Sequence, residues 1–375
     1  MKFNLRELVT PVHRWAGLTV GSVILMLALT GMSNLFRQEL EPIVNESLIT
    51  APACTQRASL DLVVEAARKF HQTGELDYVN VETTAFQSGR IPAIRIRFAD
   101  PQEDVFVHPC TAEVLGERPR YGGILGRIEQ LHIFRVSEEP WVRSLTGVFA
   151  IAFAVLMLGG GAILWWPKNI GFKRALTLNT PLKNNSKRLH QHKTIGIYAS
   201  LILLVMVLTG LPLSFSWYKE GIYSLTGSLP MPKVPKSVVT EDGKKIGIEE
   251  FWQQAQLISK EIPARALLKF HTKKADAPME GFLINQNASH VHARSMIYVD
   301  AYSGKVLKYL PYEENSLGHK VYFWTLSFHT GQAGGVLGKL LLLFGAGSVP
   351  FMAFTGWKMF LAKRKISAAN ELKTI

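Results

Sequence analysis

The chain has 375 residues, 47% of them hydrophobic, and a formal net charge of +13. Its length is typical of two or three domains. The hydrophobic residues are concentrated in four runs, each long enough to cross a bilayer, which takes about 20 residues; they are 15–36, 145–166, 195–215 and 337–361. A soluble helix of this length would carry a polar face, so the pattern excludes an ordinary soluble protein. The first run is too long for a signal peptide and lacks a nearby cleavage site, so we expect an uncleaved helix.

The excess positive charge lies in three segments that flank these runs. Residues 1–14, 167–194 and 358–375 together hold fifteen basic and two acidic residues, so their net charge equals that of the whole chain. The positive-inside rule places such segments in the cytoplasm. This distribution explains the basic composition without nucleic acid as a partner, and the partner that it predicts is the lipid bilayer.

These observations predict an α-helical membrane protein in which a four-helix bundle carries two large outer α+β domains. Both termini are expected in the cytoplasm. The predicted segments are an N-terminal part with the first span (1–36), a first outer domain (37–130), the second-span region (131–166), a basic cytoplasmic loop (167–194), the third span (195–215), a second outer domain (216–325), the fourth-span region (326–361) and a cytoplasmic tail (362–375).

An internal duplication relates the two halves of the chain. Segment 13–36, with Leu-Thr-Gly at 29–31, aligns without a gap with segment 192–215, which has Leu-Thr-Gly at 208–210. Each outer segment then predicts a helix followed by three strands. These are 59–68, 78–83, 93–98 and 104–107 in the first copy, and 248–259, 267–271, 281–285 and 295–299 in the second. Residues 107–115 also align with residues 299–307, so the duplication covers helix, outer domain and helix.

The two cysteines, Cys54 and Cys110, both fall in the first outer segment. In an oxidising compartment they can form one disulfide. Two unpaired thiols are the alternative that the sequence leaves open.

Four histidines occupy equivalent positions in the two copies. His13 and His192 lie near the cytoplasmic ends of their helices, and His132 and His329 lie where each copy re-enters the membrane. Facing helices of a bundle commonly hold a cofactor between them. Two imidazoles on opposite sides of one iron fill both axial positions of a haem, which suits electron transfer. Because the hydrocarbon core is about 30 Å thick, we expect two haems, one toward each surface.

These histidines have other interpretations. A histidine at a membrane boundary is often an interfacial side chain, but its repetition at four equivalent positions favours ligation. Zinc is less suitable, because two histidines without cysteine or carboxylate make a poor zinc site. His190 competes with His192, and the repeat selects His192. Charged residues and Pro140 separate His132 from the second span, which predicts a separate short helix.

The remaining histidines are expected to be solvated, with a metal site at His290 and His292, on one strand face, as the alternative. Aromatic residues cluster where the helices meet the outer surface. They predict an aromatic belt or, alternatively, a docking surface for a substrate; they are Trp217, Tyr218, Tyr322, Phe323 and Trp324.

Several short motifs, taken in order, resemble the PepSY-associated transmembrane (PepSY-TM) family over nearly the whole chain. They are His-Arg-Trp-x-Gly from 13, Leu-His at 131–132, His-x-x-x-Gly from 192, Thr-Gly-Trp at 355–357 followed by basic residues, and the outer segments 107–115 and 299–307, which resemble PepSY domains. The resemblance implies a bacterial inner-membrane protein with two b-type haems, and it carries the axial-ligand roles onto His13, His132, His192 and His329. Ala112 departs from the pattern, because glycine is usual there, as at Gly304.

The family includes inner-membrane reductases of ferric siderophores of the ferrioxamine type. The resemblance therefore implies an oxidoreductase that moves electrons from the cytoplasmic side or the membrane pool to the periplasm and reduces a ferric siderophore to release iron. No glycine-rich nucleotide motif is present, so membrane quinol or a separate flavoprotein is the expected donor. No catalytic residue is assigned. The alternatives are a quinol-linked electron carrier for another periplasmic acceptor, and a non-enzymatic PepSY anchor that binds peptide or assists transport.

Overall fold

The computed structural model describes residues 4–86, 88–99, 101–137, 139–168, 171–178, 182–229, 233–240, 243–260, 262–270 and 274–371. The chain divides into two compact units. The helical unit comprises residues 1–35, 128–219 and 328–375, and the sheet unit comprises residues 36–127 and 220–327.

Fourteen α-helices and ten strands are described. In chain order the helices are α1 (Leu5–Leu18), α2 (Val20–Leu35), α3 (Arg37–Val44), α4 (Glu46–Ile49), α5 (Leu60–Phe70), α6 (Gly123–His132), α7 (Pro140–Ala152), α8 (Gly160–Trp165), α9 (Phe172–Leu176), α10 (Asn184–Ser214), α11 (Ser216–Leu225), α12 (Ile248–Ser259), α13 (Leu317–His329) and α14 (Gly335–Glu371). The strands are β1 (Thr50–Ala51), β2 (Glu75–Glu82), β3 (Ile91–Pro92), β4 (Ile94–Ala99), β5 (Glu103–Val107), β6 (Val114–Pro119), β7 (Arg265–Lys269), β8 (Met279–Ile284), β9 (Ser295–Val299) and β10 (Val306–Leu310). A π-helical stretch, Phe153–Gly159, joins α7 to α8, and a 3-10 turn occupies Tyr312–Glu314.

The helical unit contains the candidate membrane spans. Among the described residues, three helices are long and apolar enough to cross a membrane, namely Trp141–Trp165, Asn184–Ser214 and Gly335–Lys365. The bent pair α1 and α2 makes a fourth if it counts as one span, with an angle of 49° between its halves. The expected first run of 15–36 is therefore only part of this element. At the bend the Thr19 hydroxyl donates back to the carbonyl of Trp15, a bond that often bends helices.

Small and branched apolar residues hold the long helices together. Helix α14 packs against both α2 and α10, and α10 also packs against α7. Membrane helices associate through close packing of small side chains rather than through the hydrophobic effect. The buried cluster accordingly mixes alanines with larger residues; its members are Ile24, Ala28, Phe153, Ala199, Leu203, Ala346 and Val349.

The sheet unit is built around an eight-stranded antiparallel sheet, and β1 and β3 form a separate two-stranded sheet. The strand order of the eight-stranded sheet is β10-β9-β8-β7-β2-β4-β5-β6, so each outer segment supplies one contiguous half. The halves join where β2 pairs with β7, from Tyr78 opposite Lys269 to Glu82 opposite Arg265. The two outer segments, expected as two domains, are thus fused through strands that would otherwise be exposed edges.

The core of the sheet unit confirms this fusion. Helices α5 and α12 contribute to one buried cluster that also contains residues of both halves of the sheet. Both helices match their predicted positions, and α12 has the predicted bounds, Ile248–Ser259. Strand β9 also has its predicted bounds. The predicted strand 267–271 is shifted to Arg265–Lys269, and His271 lies outside the described residues.

Helices α5 and α12 of the sheet unit cap each other. The Asp61 carboxylate accepts a hydrogen bond of 2.7 Å from the backbone N–H of Ile248, and the Glu249 carboxylate accepts one of 2.7 Å from the backbone N–H of Leu60. The first turn of a helix has N–H groups without helical partners and favours negative charge. Each carboxylate therefore stabilises the start of the helix in the other half.

The turns that follow β5 and β9 have equivalent hydrogen bonds and backbone angles, so the duplication extends to their geometry. Ala112 N–H donates to the His108 carbonyl, and Gly304 N–H donates to the Asp300 carbonyl, both at 3.1 Å. Ala112 and Gly304 have φ angles of 57° and 70°, in the left-handed region. The substitution of alanine for the usual glycine therefore leaves the turn geometry intact.

A disulfide joins Cys54 to Cys110, with 6.4 Å between the Cα atoms. That separation lies within the range of about 4.4–6.8 Å found in natural disulfides. The alternative of two unpaired thiols is therefore wrong for this fold.

Candidate functional site

The helical unit brings the four repeat-related histidines together as two pairs. The ring centres of His13 and His192 are 6.4 Å apart, and those of His132 and His329 are 6.5 Å apart. Each pair takes one histidine from each copy of the duplication. We call them the 13/192 pair and the 132/329 pair.

The two pairs lie at different ends of the long helices. His192 is in the third turn of α10, whereas the residues of α10 that contact His329 lie near the end of that helix, at Met206 and Thr209. At 1.5 Å per residue, His192 and Thr209 are about 25 Å apart along the axis. That length approaches the hydrocarbon thickness of a bilayer, about 30 Å.

The rings of the 132/329 pair are held by the repeated Leu-Thr-Gly sequences. The Nδ1 atom of His132 lies 3.1 Å from the Leu27 carbonyl oxygen and 3.1 Å from the Thr30 hydroxyl. In the second copy, Nδ1 of His329 lies 3.0 Å from the Met206 carbonyl oxygen and 3.4 Å from the Thr209 hydroxyl. Position by position, the duplication repeats these contacts.

The rings of the 13/192 pair are held by the second span of their own copy. Nδ1 of His13 lies 3.3 Å from the carbonyl oxygen of Leu156, within the π-helical stretch. Nδ1 of His192 lies 2.9 Å from the Thr355 hydroxyl, which itself donates to the Phe351 carbonyl at 2.9 Å. The π-helical turn is a feature often found at functional sites.

These contacts determine which ring nitrogen is available. A carbonyl oxygen can only accept, so an imidazole Nδ1 bonded to it carries the proton, and Nε2 of the neutral ring keeps its lone pair. No described residue forms a hydrogen bond to Nε2 of any of the four histidines. A metal-binding histidine typically shows this arrangement, with the other nitrogen donating to a carbonyl or carboxylate.

The spacing within each pair fits one metal ion between two rings. An imidazole nitrogen lies about 1 Å from its ring centre and bonds a metal at about 2 Å, so two imidazoles on opposite sides of one metal have centres about 6 Å apart. The separations of 6.4 and 6.5 Å agree with this value. Within the described residues there is no group of three or more His, Cys, Asp or Glu side chains suited to a metal ion. The donor set therefore fits a haem better than a protein-ligated zinc site.

Two glycines, which have no Cβ atom, leave room for the imidazole rings of the 132/329 pair. A Cβ atom on Gly31 would lie 3.0 Å from Cε1 of His132, and one on Gly210 would lie 2.8 Å from Cε1 of His329. Both distances are shorter than an ordinary van der Waals contact. The glycine of each Leu-Thr-Gly sequence is therefore required by the close approach of an imidazole.

The competing histidine lies elsewhere. His190 is half-buried, and its Nε2 atom is 2.6 Å from the carbonyl oxygen of Thr177, whereas His192 faces His13. His132 is the last residue of the short helix α6, as predicted. His329 likewise ends α13, so the two re-entry histidines have equivalent positions.

The expectation that the outer histidines are solvated is wrong for His319, which is 2% exposed, and for His290, which is 7% exposed. The Nδ1 atom of His290 accepts hydrogen bonds from the His292 backbone N–H and the Ser327 hydroxyl, and its Nε2 donates to the Tyr312 hydroxyl at 2.8 Å. Burial lowers the pKa of His290 and raises the pKa of Tyr312 to about 12. His290 and His292 lie in the loop between β8 and β9 rather than on one strand, so the metal site proposed for a shared strand face is not formed.

Sequence reasoning did not assign roles to the residues that position the rings. Thr30, Thr209 and Thr355, together with the carbonyl groups of Leu27 and Met206, contact the imidazoles. The repeated Leu-Thr-Gly was the available signal, because its recurrence at one spacing from each histidine is unusual. Every residue has a backbone carbonyl group, so a sequence does not show which carbonyl contacts a histidine.

Comparison with known proteins agrees with the motif resemblance. No curated protein matches the chain significantly. Residues 10–363, nearly the whole chain, match the family described as PepSY-associated TM region. With its candidate spans and its paired, repeat-related helices, the chain is a membrane protein that belongs to the PepSY-associated TM family.

Proposed function

We propose that this protein is a di-haem b-type cytochrome of the bacterial inner membrane that reduces ferric siderophores in the periplasm. His13 and His192 would be the axial ligands of one haem, and His132 and His329 those of the other. The observation that supports this most strongly is the pairing of equivalent histidines from the two copies at 6.4 and 6.5 Å.

The chain itself orients the ligands. The carbonyl groups of Leu27, Met206 and Leu156 fix the proton on Nδ1 and leave the lone pair of Nε2 available. A haem bound by two imidazoles has no open coordination position and supplies one-electron transfer. Because both cysteines are used in the disulfide, no thiol is available for covalent haem attachment, which favours haem b.

The direction of electron flow follows from the charge distribution. The three basic flanks carry the net positive charge of the chain, and the positive-inside rule orients them to the cytoplasm. The four spans would form a bundle whose 13/192 pair lies toward the cytoplasm, and the fused sheet unit would be two PepSY-like halves in the periplasm. Reduction of the siderophore-bound Fe(III) by the haem at the 132/329 pair would weaken the binding of the iron to the siderophore, because hard oxygen ligands suit Fe(III) better than Fe(II).

Membrane quinol or a separate flavoprotein would supply the electrons, since the chain has no nucleotide-binding glycine motif. Two other functions compete with this proposal. One is an electron carrier from quinol to another periplasmic acceptor. The other is a PepSY anchor without enzymatic activity.

The first experiment measures haem in the purified protein. We expect a red protein with two low-spin bis-histidine haems per chain by absorption spectrum and protein assay. His13→Ala and His192→Ala should each remove the same haem, and His132→Ala and His329→Ala the other. His190→Ala is the matched control and should keep both. Colourless protein that cannot be reconstituted, or partners that remove different haems, would refute the assignment.

The second experiment tests the substrate. Protein reduced with dithionite is mixed anaerobically with a ferric hydroxamate siderophore, and reoxidation is followed in the haem spectrum. We expect rapid reoxidation together with release of Fe(II). Haem-loaded protein that ferric siderophores fail to reoxidise would favour the electron-carrier alternative.

A further inference from the structure

A row of side chains crosses the second half of the sheet on the face opposite α5 and α12. Arg265 of β7 lies opposite Ile284 of β8. Leu283 lies opposite Ser295, so Arg294, one residue before Ser295, continues the row. Residues in one row project from the same face, and two strand spacings put Arg265 and Arg294 about 10 Å apart. The neighbouring Ala266 and Leu268 alternate to the other face, in the core with the helices.

The two arginines of this row differ in their partners. Arg265 forms an ion pair of 2.9 Å with Glu82, its neighbour on β2. Among the described residues, no carboxylate forms an ion pair with Arg294, and no acceptor forms a hydrogen bond with its guanidinium. Its contact is the ring of Phe323, whose centre lies 5.6 Å from Cζ.

An aromatic cluster lies beside this guanidinium. Phe323 packs in turn against His319, with ring centres 4.6 Å apart, and against Tyr322 at 5.2 Å. A guanidinium that lies over an aromatic ring still has its N–H groups available, and it can bind a planar anion with two parallel bonds. Arg294 is only partly buried, so such a ligand can reach it.

The local charges are unbalanced in the same direction. Burial lowers the pKa of Arg294, and the positive charge of Arg265 lowers it further. Burial and then the charge of Arg294 lower the pKa of His292 to about 4. The charged form of Arg294, disfavoured in this way, is stabilised when an anion binds beside it.

We propose that Arg294, which lies beside Phe323 and is assisted by the charge of Arg265, binds a carboxylate group of a small anionic ligand on this face of the sheet. Phosphate sites usually add backbone N–H groups at a helix start, and Arg294 lies in the loop just before β9 rather than at a helix start. A carboxylate can be bound by the planar guanidinium of an arginine alone. The proposal does not depend on haem or on siderophore reduction, because binding can occur in haem-free protein.

The test is isothermal titration of the purified full-length protein with citrate, and with inorganic phosphate in parallel. We expect saturable binding of one citrate per chain that weakens with salt. Arg294→Ala should weaken citrate binding about 10- to 100-fold, as expected for the loss of a charge-assisted bidentate contact. Arg294→Lys, which keeps the charge but not the planar guanidinium, should recover only part of the affinity.

Lys269→Ala is the matched control. Lys269 lies on the same strand and face as Arg265, and its Nζ atom lies 5.9 Å over the ring of Phe282, so its removal tests a cation on an aromatic ring outside the site. It should bind citrate like the unmodified protein. Absence of citrate binding, equal binding by Arg294→Ala and the unmodified protein, or a preference for phosphate over citrate would overturn the proposal. Arg294→Lys keeps it testable if Arg294→Ala does not fold.

Discussion

Replacement of Gly210 by alanine tests the geometry of the 132/329 pair with a single methyl group. The added Cβ would lie 2.8 Å from Cε1 and 3.2 Å from Nδ1 of His329. Ordinary contact begins at 3.4 Å, so the imidazole must move by roughly 0.6 Å or more. That shift also stretches the 3.0 Å bond from Nδ1 to the Met206 carbonyl.

The expected result is selective loss of one haem. Overpacking of this kind costs about 1–3 kcal/mol, which corresponds to roughly 5- to 150-fold in affinity. Gly210→Ala should therefore reduce haem content from two toward one per chain, with the spectrum of the haem at the 13/192 pair unchanged. Gly31→Ala, at 3.0 Å from His132, should affect the same haem more weakly.

Haem content per protein and low-temperature spectra of the two haems are the measurements. The matched control is Gly347→Ala in α14, where the new Cβ would lie 3.9 Å from the Sδ atom of Met32 and meet no clash. Alanine is a better helix former than glycine, so this variant should keep both haems and be at least as stable. If Gly210→Ala also keeps both haems with unaltered spectra, His329 is not a ligand in the arrangement described.

Three predictions concern the sheet unit. Ala112→Gly should raise the free energy of unfolding by about 1 kcal/mol, because alanine is strained at φ 57°; an unchanged or lower midpoint in thermal unfolding would contradict this. Cys54→Ser should lower it by about 4 kcal/mol, since the lost disulfide closes a loop with a sequence separation of 56, and reduction of the unmodified protein should have the same effect. The pKa of His292 is lowered from 6.5 to about 4, chiefly by burial, so the unfolded chain binds a proton before the fold does, and stability should fall as pH decreases from about 6.5 to 4. His292→Gln should flatten that slope in denaturation curves recorded between those pH values, and an identical slope would count against the assignment.

Local patterns in the sequence were sufficient for many elements. The bounds of α12 and β9 follow from hydrophobic periodicity and flanking turn residues. Ser59 was predicted to start α5, and its side chain accepts a hydrogen bond from the Asp61 N–H. The candidate spans and the equivalence of the two turns at Ala112 and Gly304 also follow, because each depends on residues close together in the chain.

Pairing between distant residues was not accessible in this way. The fusion of the halves through β2 and β7 joins segments nearly two hundred residues apart, and any outer strand with suitable alternation could have been the partner. The burial of His290 between Tyr312 and Ser327 likewise depends on three separated segments. The break at Thr19 depends on a balance between helix geometry and packing that composition does not reveal.

The sequence by itself determined the membrane class, the duplication and the set of four equivalent histidines, because apolar length, charge asymmetry and repetition are properties of the chain alone. Only the tertiary structure decided that His13 meets His192 and His132 meets His329, and that backbone carbonyls or, for His192, a threonine hydroxyl of a neighbouring helix hold each Nδ1. The physical reason is that ring separation and tautomer depend on how helices pack and where their backbone carbonyls point. The role of these histidines as haem ligands stays a prediction that the spectra of the purified protein will test.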